Sequence, residues 1–367
     1  MRRNILIALL LAVLVLCASC QTSLSIPYTQ PSNINMSQYR SVAVASASKY
    51  SGYQSLPRFV RYIDDFYSDS RFVFYNYATS YSYDSVNSTT ASELTRMVEK
   101  VFASSSYYST LSTDKTDTYI SLYKIGRDPS EMLQADGVDA LIVPRITSLR
   151  SDEYIDMDIV KDYRGTEKVV YTLYRTVDIS FTLTVLDTST NRIVAIKEYS
   201  TSAVSHESFD PKYYYFTSIL SEQDLVSSAL SDKISEIIAD FIPTRRYAEV
   251  TFKDNSPKNE SVEEAYKAAK NDNFDYALTL FRNAWENSRH VPSGYNAALI
   301  LASRSDYDGA LEILSEIRSM GLDDREVDRF YSRLTALKAK NEEAKKQYEP
   351  KIDSSTTGTA SPYSYLF

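Results

Sequence analysis

The hexapeptide Asn273-Phe-Asp-Tyr-Ala-Leu278 returns 33 residues later as Asp306-Tyr-Asp-Gly-Ala-Leu311. At the same offset Phe274 matches Tyr307, Ala277 matches Ala310, Phe281 matches Leu314 and Ala284 matches Ile317. A helical apolar pattern with a period of this length marks a unit too small to bury its own apolar face, so it must stack on neighbours. The small Ala falls where two helices cross closely, and the aromatic residue before it packs under the turn. The first unit runs from about Val262 to Asn287 and the second from about Ser293 to Ser319. A closing helix follows from about Asp324 to Tyr348. Two units and a cap fall short of the roughly three repeats that stand alone. The array is therefore expected to lean on the rest of the chain.

Upstream of about residue 260 the period is different. Val177, Ile179, Phe181, Leu183 and Val185 alternate with Asp178, Ser180, Thr182 and Thr184, as in a half-buried strand with one wet face. Asp187-Thr-Ser-Thr-Asn191 is turn chemistry, and Ile193–Thr201 reads as the returning strand of a hairpin. Residues 152–176 are expected to add one more strand to that sheet. Tyr39–Ala45 opens as a strand, Arg71–Tyr77 is an aromatic strand candidate, and Ala140–Val143 is a buried one. Tyr107–Leu111 and Ala248–Phe252 are short strand candidates. Helices are predicted over Leu56–Phe66, over Glu131–Ala135 and after a capping box formed by Thr90 and Glu93. A long helix covers about 222–241, with Leu225, Val226, Ala229, Leu230, Ile234, Ile237, Ile238 and Phe241 in one stripe, and Pro243 ends it. The fold class is thus α+β, a mixed sheet with flanking helices over 39–253. A polar linker at 254–260 leads to an all-α repeat region over 261–348. The Ser/Thr-rich tail at 349–367 reads as disordered.

The amino terminus carries an address. Arg2 and Arg3 precede an apolar run from Ile5 to Cys17, too short to cross a bilayer but right for a signal peptide. Leu16-Cys17-Ala18-Ser19-Cys20 is similar to the lipobox of bacterial lipoproteins, although the usual Leu three places before the modified cysteine is here Cys17. On that resemblance residues 1–19 are the signal peptide and Cys20 is the lipidated first residue, a palmitate-type anchor that makes the membrane a partner. Gln21, and not Asp, follows it, which favours the outer membrane. Residues 20–38, rich in Ser, Pro and Asn, read as a flexible tether. Cys17 and Cys20 are the two cysteines of the chain, so the mature protein has no internal disulfide.

The remaining composition excludes more than it selects. A net charge of −8 leaves no electrostatic footprint for nucleic acid. Eight glycines offer no phosphate loop, and no Gly-x-Ser-x-Gly elbow is present. The two histidines, His206 and His290, are far apart in sequence and are expected on the surface. The acidic run Ser151–Asp158 lacks the Gly and final Glu of a calcium loop and reads as a solvated strand edge. Asp136 and Asp139 flank a turn. No catalytic residue, metal or cofactor is expected. Of the 31 tyrosines, the groups Tyr75/Tyr77/Tyr81/Tyr83 and Tyr213–Tyr215 read as sheet surface, with stacking on sugars as the sharper alternative.

The 33-residue unit resembles tetratricopeptide repeats, whose unit is two antiparallel helices. Taken with the lipobox, Tyr39-Arg-Ser-Val-Ala-Val44 and the Asp187–Asn191 turn, the chain resembles bacterial envelope lipoproteins that carry such repeats at the C-terminus. That group has no assigned activity and transfers no site residues. In plan the first domain is similar to the α/β domain shared by curli-secretion CsgG, the activator LpoB and the N-terminal domain of TolB. The plan includes the Asp139–Val143 strand, a hairpin with an Asp-Thr turn and a closing helix. These readings imply a lipid-anchored, non-enzymatic scaffold whose repeat groove, packed by Phe274, Ala277, Phe281, Ala284, Tyr307, Ala310 and Leu314, receives a protein partner. A subunit of a CsgG-like secretion assembly and an envelope glycan hydrolase are the alternatives. The sequence leaves the oligomeric state open.

Overall fold

A computed structural model describes residues 22–52, 59–63, 72–76, 80–122, 127–161, 163–209 and 219–348. The expected signal peptide at 1–19, Cys20, Tyr77, Tyr213–Tyr215 and the 349–367 tail lie outside the described residues. The fold is mixed α+β, with a mixed sheet and, among the described residues, nine α-helices. Contacts divide it into two compact units. One spans Asn33–Ile242. The other joins the residues up to Ser32 with those from Pro243 on.

The first unit is built on a five-stranded sheet. Its strands are β2 (Ser41–Val44), β5 (Ser109–Leu111), β6 (Ala140–Lys161), β7 (Glu167–Asp187) and β8 (Arg192–Phe209), in the order β5-β2-β6-β7-β8. β2 runs parallel to β5 and β6, and β6-β7-β8 form an antiparallel meander. The alternating residues Val177 to Val185 are buried, as their period requires. They share a core with helix α1 (Ser80–Ala103) and helix α4 (Glu222–Phe241), through residues such as Leu94, Phe102, Leu225 and Phe241. Leu133, Val138 and Leu141 belong to a smaller cluster that includes Ala43 of β2 and Ala45 just after it. Tyr119 and Ile120 of helix α2 (Thr113–Leu122) pack against it, and Leu133 belongs to helix α3 (Pro129–Ala135). The Asp187 turn closes as its composition predicts. The carboxylate accepts the backbone N–H of Ser189 and Thr190 at 2.8 and 2.9 Å, and Asn191 takes the left-handed conformation.

Several local expectations are corrected. Residues 152–176 are not one strand but the ends of β6 and β7, joined at Gly165 in its left-handed conformation. β3 (Phe59–Ile63) pairs with β4 (Phe72–Asn76), which replaces the helix expected at Leu56–Phe66. Helix α1 starts at Ser80, ten residues before the expected cap. Thr90 is fully buried within it, its hydroxyl donating back to the carbonyl of Val86 at 2.7 Å. Tyr81 and Tyr83 accordingly lie on a helix and not on a strand.

The second unit overturns the tether. β1 (Ser23–Gln30) pairs antiparallel with β9 (Thr244–Thr251), from Ser23 opposite Thr251 to Gln30 opposite Thr244. Ile26 is fully buried, in the same cluster as Ala248, Val250, Phe252 and the repeat helices. These helices are α5 (Glu263–Lys270), α6 (Phe274–Ser288), α7 (Val291–Ser303), α8 (Tyr307–Ser319) and α9 (Arg325–Tyr348). An apolar strand beside an incomplete array is worth more folded than free, because it supplies the surface that two repeats lack. The free edge of β1 is covered by α9. Asn341 accepts the N–H of Thr29 at 3.1 Å, while Gln347 accepts the N–H of Ser32 and donates to its carbonyl, both at 3.0 Å. The support expected for the array thus comes from residues 22–32, which are not a tether, and from β9, which is not part of the sheet domain. The Asn33–Ile242 unit is inserted between two neighbouring strands of the helical unit.

Candidate functional site

The sequence repeat recurs as backbone geometry. Asp272 and Ser305 both take left-handed φ, of 57° and 68°. Asn273 N–H bonds the carbonyl of Ala268 and Asp306 N–H that of Leu301. Asn273 and Asp306 then cap α6 and α8 with their side chains. Each pair is 33 residues apart. Ala277, Phe281, Ala310 and Leu314 are fully buried, Tyr307 nearly so, and Phe274 and Ala284 half-buried. Their role is packing. Phe281 meets Tyr266 edge-on at 5.0 Å and Phe252 at 6.2 Å, and the hydroxyl of Tyr307 donates to the carbonyl of Pro27 in β1. Among the described residues these seven belong to a core shared with β1 and β9.

An open groove lies elsewhere in this unit. It has a volume of about 630 Å³ and runs between the end of β9 and α9. Val250, Phe252, Tyr295 and Phe330, all nearly buried, form its floor. Lys253, Asp254, Asp324, Glu326, Arg329 and Arg333 supply the charges. Lys253 is held on both sides. Its N–H donates to Asn296 Oδ1 at 2.7 Å, and its carbonyl accepts from Asn296 Nδ2 and Tyr266 Oη, both at 2.9 Å. Its ammonium bonds Asp324 at 3.1 Å and Glu326. Burial opposes the charge on Lys253, but these two carboxylates outweigh it and raise its pKa. Burial, then the same carboxylates, pushes Tyr295 up to about 12. Arg333 donates to the carbonyl of Glu249 at 2.9 Å. Arg329 is exposed at the rim with no ion pair to any described residue. The chemistry on offer is recognition: an apolar floor, fixed charges of both signs and one uncommitted guanidinium. Sequence reasoning missed this set. The usable signal was Asn296, a lone amide in the apolar run 295–302, since a buried amide needs fixed partners.

The other polar candidates are committed to structure. His290 is buried, not on the surface: Nε2 donates to the carbonyl of Pro257 at 3.1 Å, and Nδ1 then accepts from Ser293 Oγ at 2.7 Å. His206 is exposed, as expected, and stacks on Tyr174, which stacks on Tyr154. Asp139 accepts the N–H groups of Arg40 and Ser41 at 2.8 and 2.9 Å. Asp136 is held below the usual carboxylate range by Lys115, then Tyr119. Within the acidic run, Glu153 pairs with Arg175 at 2.7 Å and Ser151 donates to Glu222 at 2.6 Å. Among the described residues no three His, Cys, Asp or Glu side chains gather as a metal site. No helix of the described residues is long and apolar enough to cross a membrane.

No family model matches the sequence, and no curated protein does. Solved structures overlap weakly. A hypothetical protein from Chlamydia trachomatis has 12% identity over 55% of this chain and 94% of its own, with a TM-score of 0.26. The PelC dodecamer from Paraburkholderia phytofirmans has 10% identity over 58% and 96%, with a TM-score of 0.21. Lipoprotein GNA1162 from Neisseria meningitidis has 11% identity over 54% and 97%, also with a TM-score of 0.21. Overlaps of this size leave fold and function to be argued from the chain's own residues.

Proposed function

We propose that this chain is a lipoprotein of the bacterial envelope, anchored through Cys20, that acts as a non-enzymatic scaffold for a protein partner. Its helical unit is a tetratricopeptide-like scaffold, and its first unit follows the plan of CsgG, LpoB and TolB. The outer membrane is the proposed location, on the residue after the cysteine. The observation that carries the reading is where the open groove lies. Phe252, in its floor, donates its N–H to the carbonyl of Thr22 at 2.9 Å. Gln21 alone lies between Thr22 and Cys20, a reach of about 7 Å at most. The anchor therefore holds the groove, and not a distant array, close to the bilayer surface. A protein segment that offers an apolar side chain to the floor and a carboxylate to Arg329 fits this groove.

The test is a photo-reactive residue placed at Arg329 in cells. A discrete adduct with one envelope protein, absent when the residue is placed on exposed α2 and reduced in Cys20→Ala, is expected. Equal labelling from both positions would refute the groove as the binding site. The secretion-assembly alternative has one observation in its favour, the 22-residue strand β6. Arg150, Asp152, Asp156 and Asp158 share one face of it, and charge on a lipid-facing strand costs up to about 2–4 kcal/mol per basic residue at the midplane.

A further inference from the structure

β8 is the last strand of the five-stranded sheet and pairs on one side, with β7, among the described residues. Such an edge is a template for another strand, and proteins usually blunt it with Pro, bulges or shortness. β8 is 18 residues long and contains no Pro or Gly. Its register shift lies at one end, opposite Val185/Leu186, so that Ala195 to Phe209 run regularly. Ile196, Glu198, Ser200, Ser202, Val204, His206 and Ser208 alternate as exposed residues, with Ile196 55% and Val204 57% accessible.

The order of charges along this edge is self-complementary. We propose that β8 is the contact between two copies of this chain, paired antiparallel about a two-fold axis at Ser202. In that register Lys197 of one copy stands opposite Glu207 of the other, and Glu198 stands opposite His206. The symmetry makes each pair twice. The faces agree: Lys197 and Glu207 share one side of the sheet, and Glu198 and His206 share the other, as an antiparallel pair requires. Moving the axis to Glu198 would set Glu198 against itself, and moving it to Lys197 would set Lys197 against itself. An axis at Ser200 pairs Ile196 with Val204 but leaves every charge facing a neutral residue. Lys197 already touches Asp240 at 3.3 Å, yet it is 39% exposed and has three donors, enough for both carboxylates. Opposite charges directly across a ladder stabilise it, and like charges weaken it. The pairing would make one ten-stranded sheet from two five-stranded ones. It does not depend on the lipid anchor or on the groove.

The test uses the full chain in mild detergent, with Ser202→Cys added. Mild oxidation is expected to give a disulfide-linked dimer, because Ser202 faces itself across the axis. Ser200→Cys alone should link poorly, whereas mixing it with Val204→Cys protein should link the two. The unsubstituted chain controls for Cys20. Separately, Glu198→Lys or His206→Glu should each weaken dimerisation by about tenfold, and the double variant should restore it, since the swap exchanges the charges within the pair. Retained hydrogen-exchange protection of the β6 and β7 amides shows that the substituted unit is folded. A monomer by light scattering with no Ser202→Cys linkage would overturn the proposal. Linkage through Ser200→Cys in place of Ser202→Cys, linkage to a different protein, or no rescue by the double swap would overturn this pairing.

Discussion

Ile26→Ala separates a strand from a tether. Ile26 is fully buried in the helical core, six residues beyond the proposed lipidation site. Removing three buried carbons from a core isoleucine costs about 2–5 kcal/mol, the transfer loss plus the cavity left behind. We expect about 3 kcal/mol, because β1 is fixed by its ladder with β9 and by the Asn341 and Gln347 bonds and cannot slide to fill the gap. Trp285 is the single tryptophan of the chain and is buried in the same cluster, so its fluorescence reports this unit selectively. With a urea dependence of about 2 kcal/mol per molar, the midpoint should fall by about 1.5 M. Ser25→Ala, at an exposed neighbouring position, should leave it in place. An unchanged Trp285 midpoint in Ile26→Ala would show that residues 23–30 do not belong to the helical core.

Gly294→Ala tests the close approach of two helices. A Cβ there would lie 2.8 Å from the Trp285 ring and 3.0 Å from Ile317, so about 1–3 kcal/mol of overpacking and a shifted Trp285 emission are expected. Asp240→Ala removes the acceptor for Asn33 Nδ2 at 2.7 Å and Tyr199 Oη at 2.8 Å from a nearly buried site. About 3 kcal/mol should be lost, read by hydrogen exchange of β7 and β8 amides. The raised pKa values of Lys253, Tyr266 and Tyr295 set an alkaline limit for the helical unit. A pKa raised on folding gives stability that is complete below the unfolded value and is lost as pH rises through the folded one. Trp285 melts should therefore hold steady up to about pH 10 and fall above it.

What was legible in the sequence follows from how each signal arises. Period-2 alternation in 177–185 and the apolar stripe of 222–241 are local consequences of burial, so strand and helix could be read without knowing their partners. The 33-residue echo was legible for the same reason, while the paired left-handed turns at Asp272 and Ser305 emerged only with the backbone. β1 was not. Ser23-Leu-Ser-Ile-Pro-Tyr28 carries two aliphatic residues and a proline, a weak local signal, and its partner is more than 200 residues away. The proline fits because the strand is at an edge, where a missing N–H costs no ladder bond. The capping box at Thr90 misled because Thr and Glu three apart also occur inside helices, where the hydroxyl can bond a carbonyl one turn back. The groove was hidden because Val250, Lys253, Tyr295 and Arg329 come from three separate segments that only the β1–β9 pair and the helices packed on it bring together.

The connectivity carries an energetic consequence. Pairing β1 with β9 in an otherwise unfolded chain closes a loop of about 213 residues, and the cost grows as (3/2)RT ln n. Folding of the inserted unit removes most of that loop. The N–H groups of Asn33 and Ile34 bond the carbonyls of Ala239 and Asp240 at 3.1 and 2.8 Å, so the two ends of the insert are already side by side. Fewer than about ten residues then remain open, which lowers the closure cost by about 3 kcal/mol. The inserted unit thus stabilises the helical unit through chain entropy, with no contact between them required. The helical unit, whose first strand begins at Ser23, cannot close until the last part of the insert has been made. Asp240→Ala, which lies in the insert and touches no residue of the helical core, should on this ground lower the Trp285 midpoint under conditions where the insert has unfolded. If Trp285 melts identically with the insert folded and unfolded, loop closure does not couple the two units.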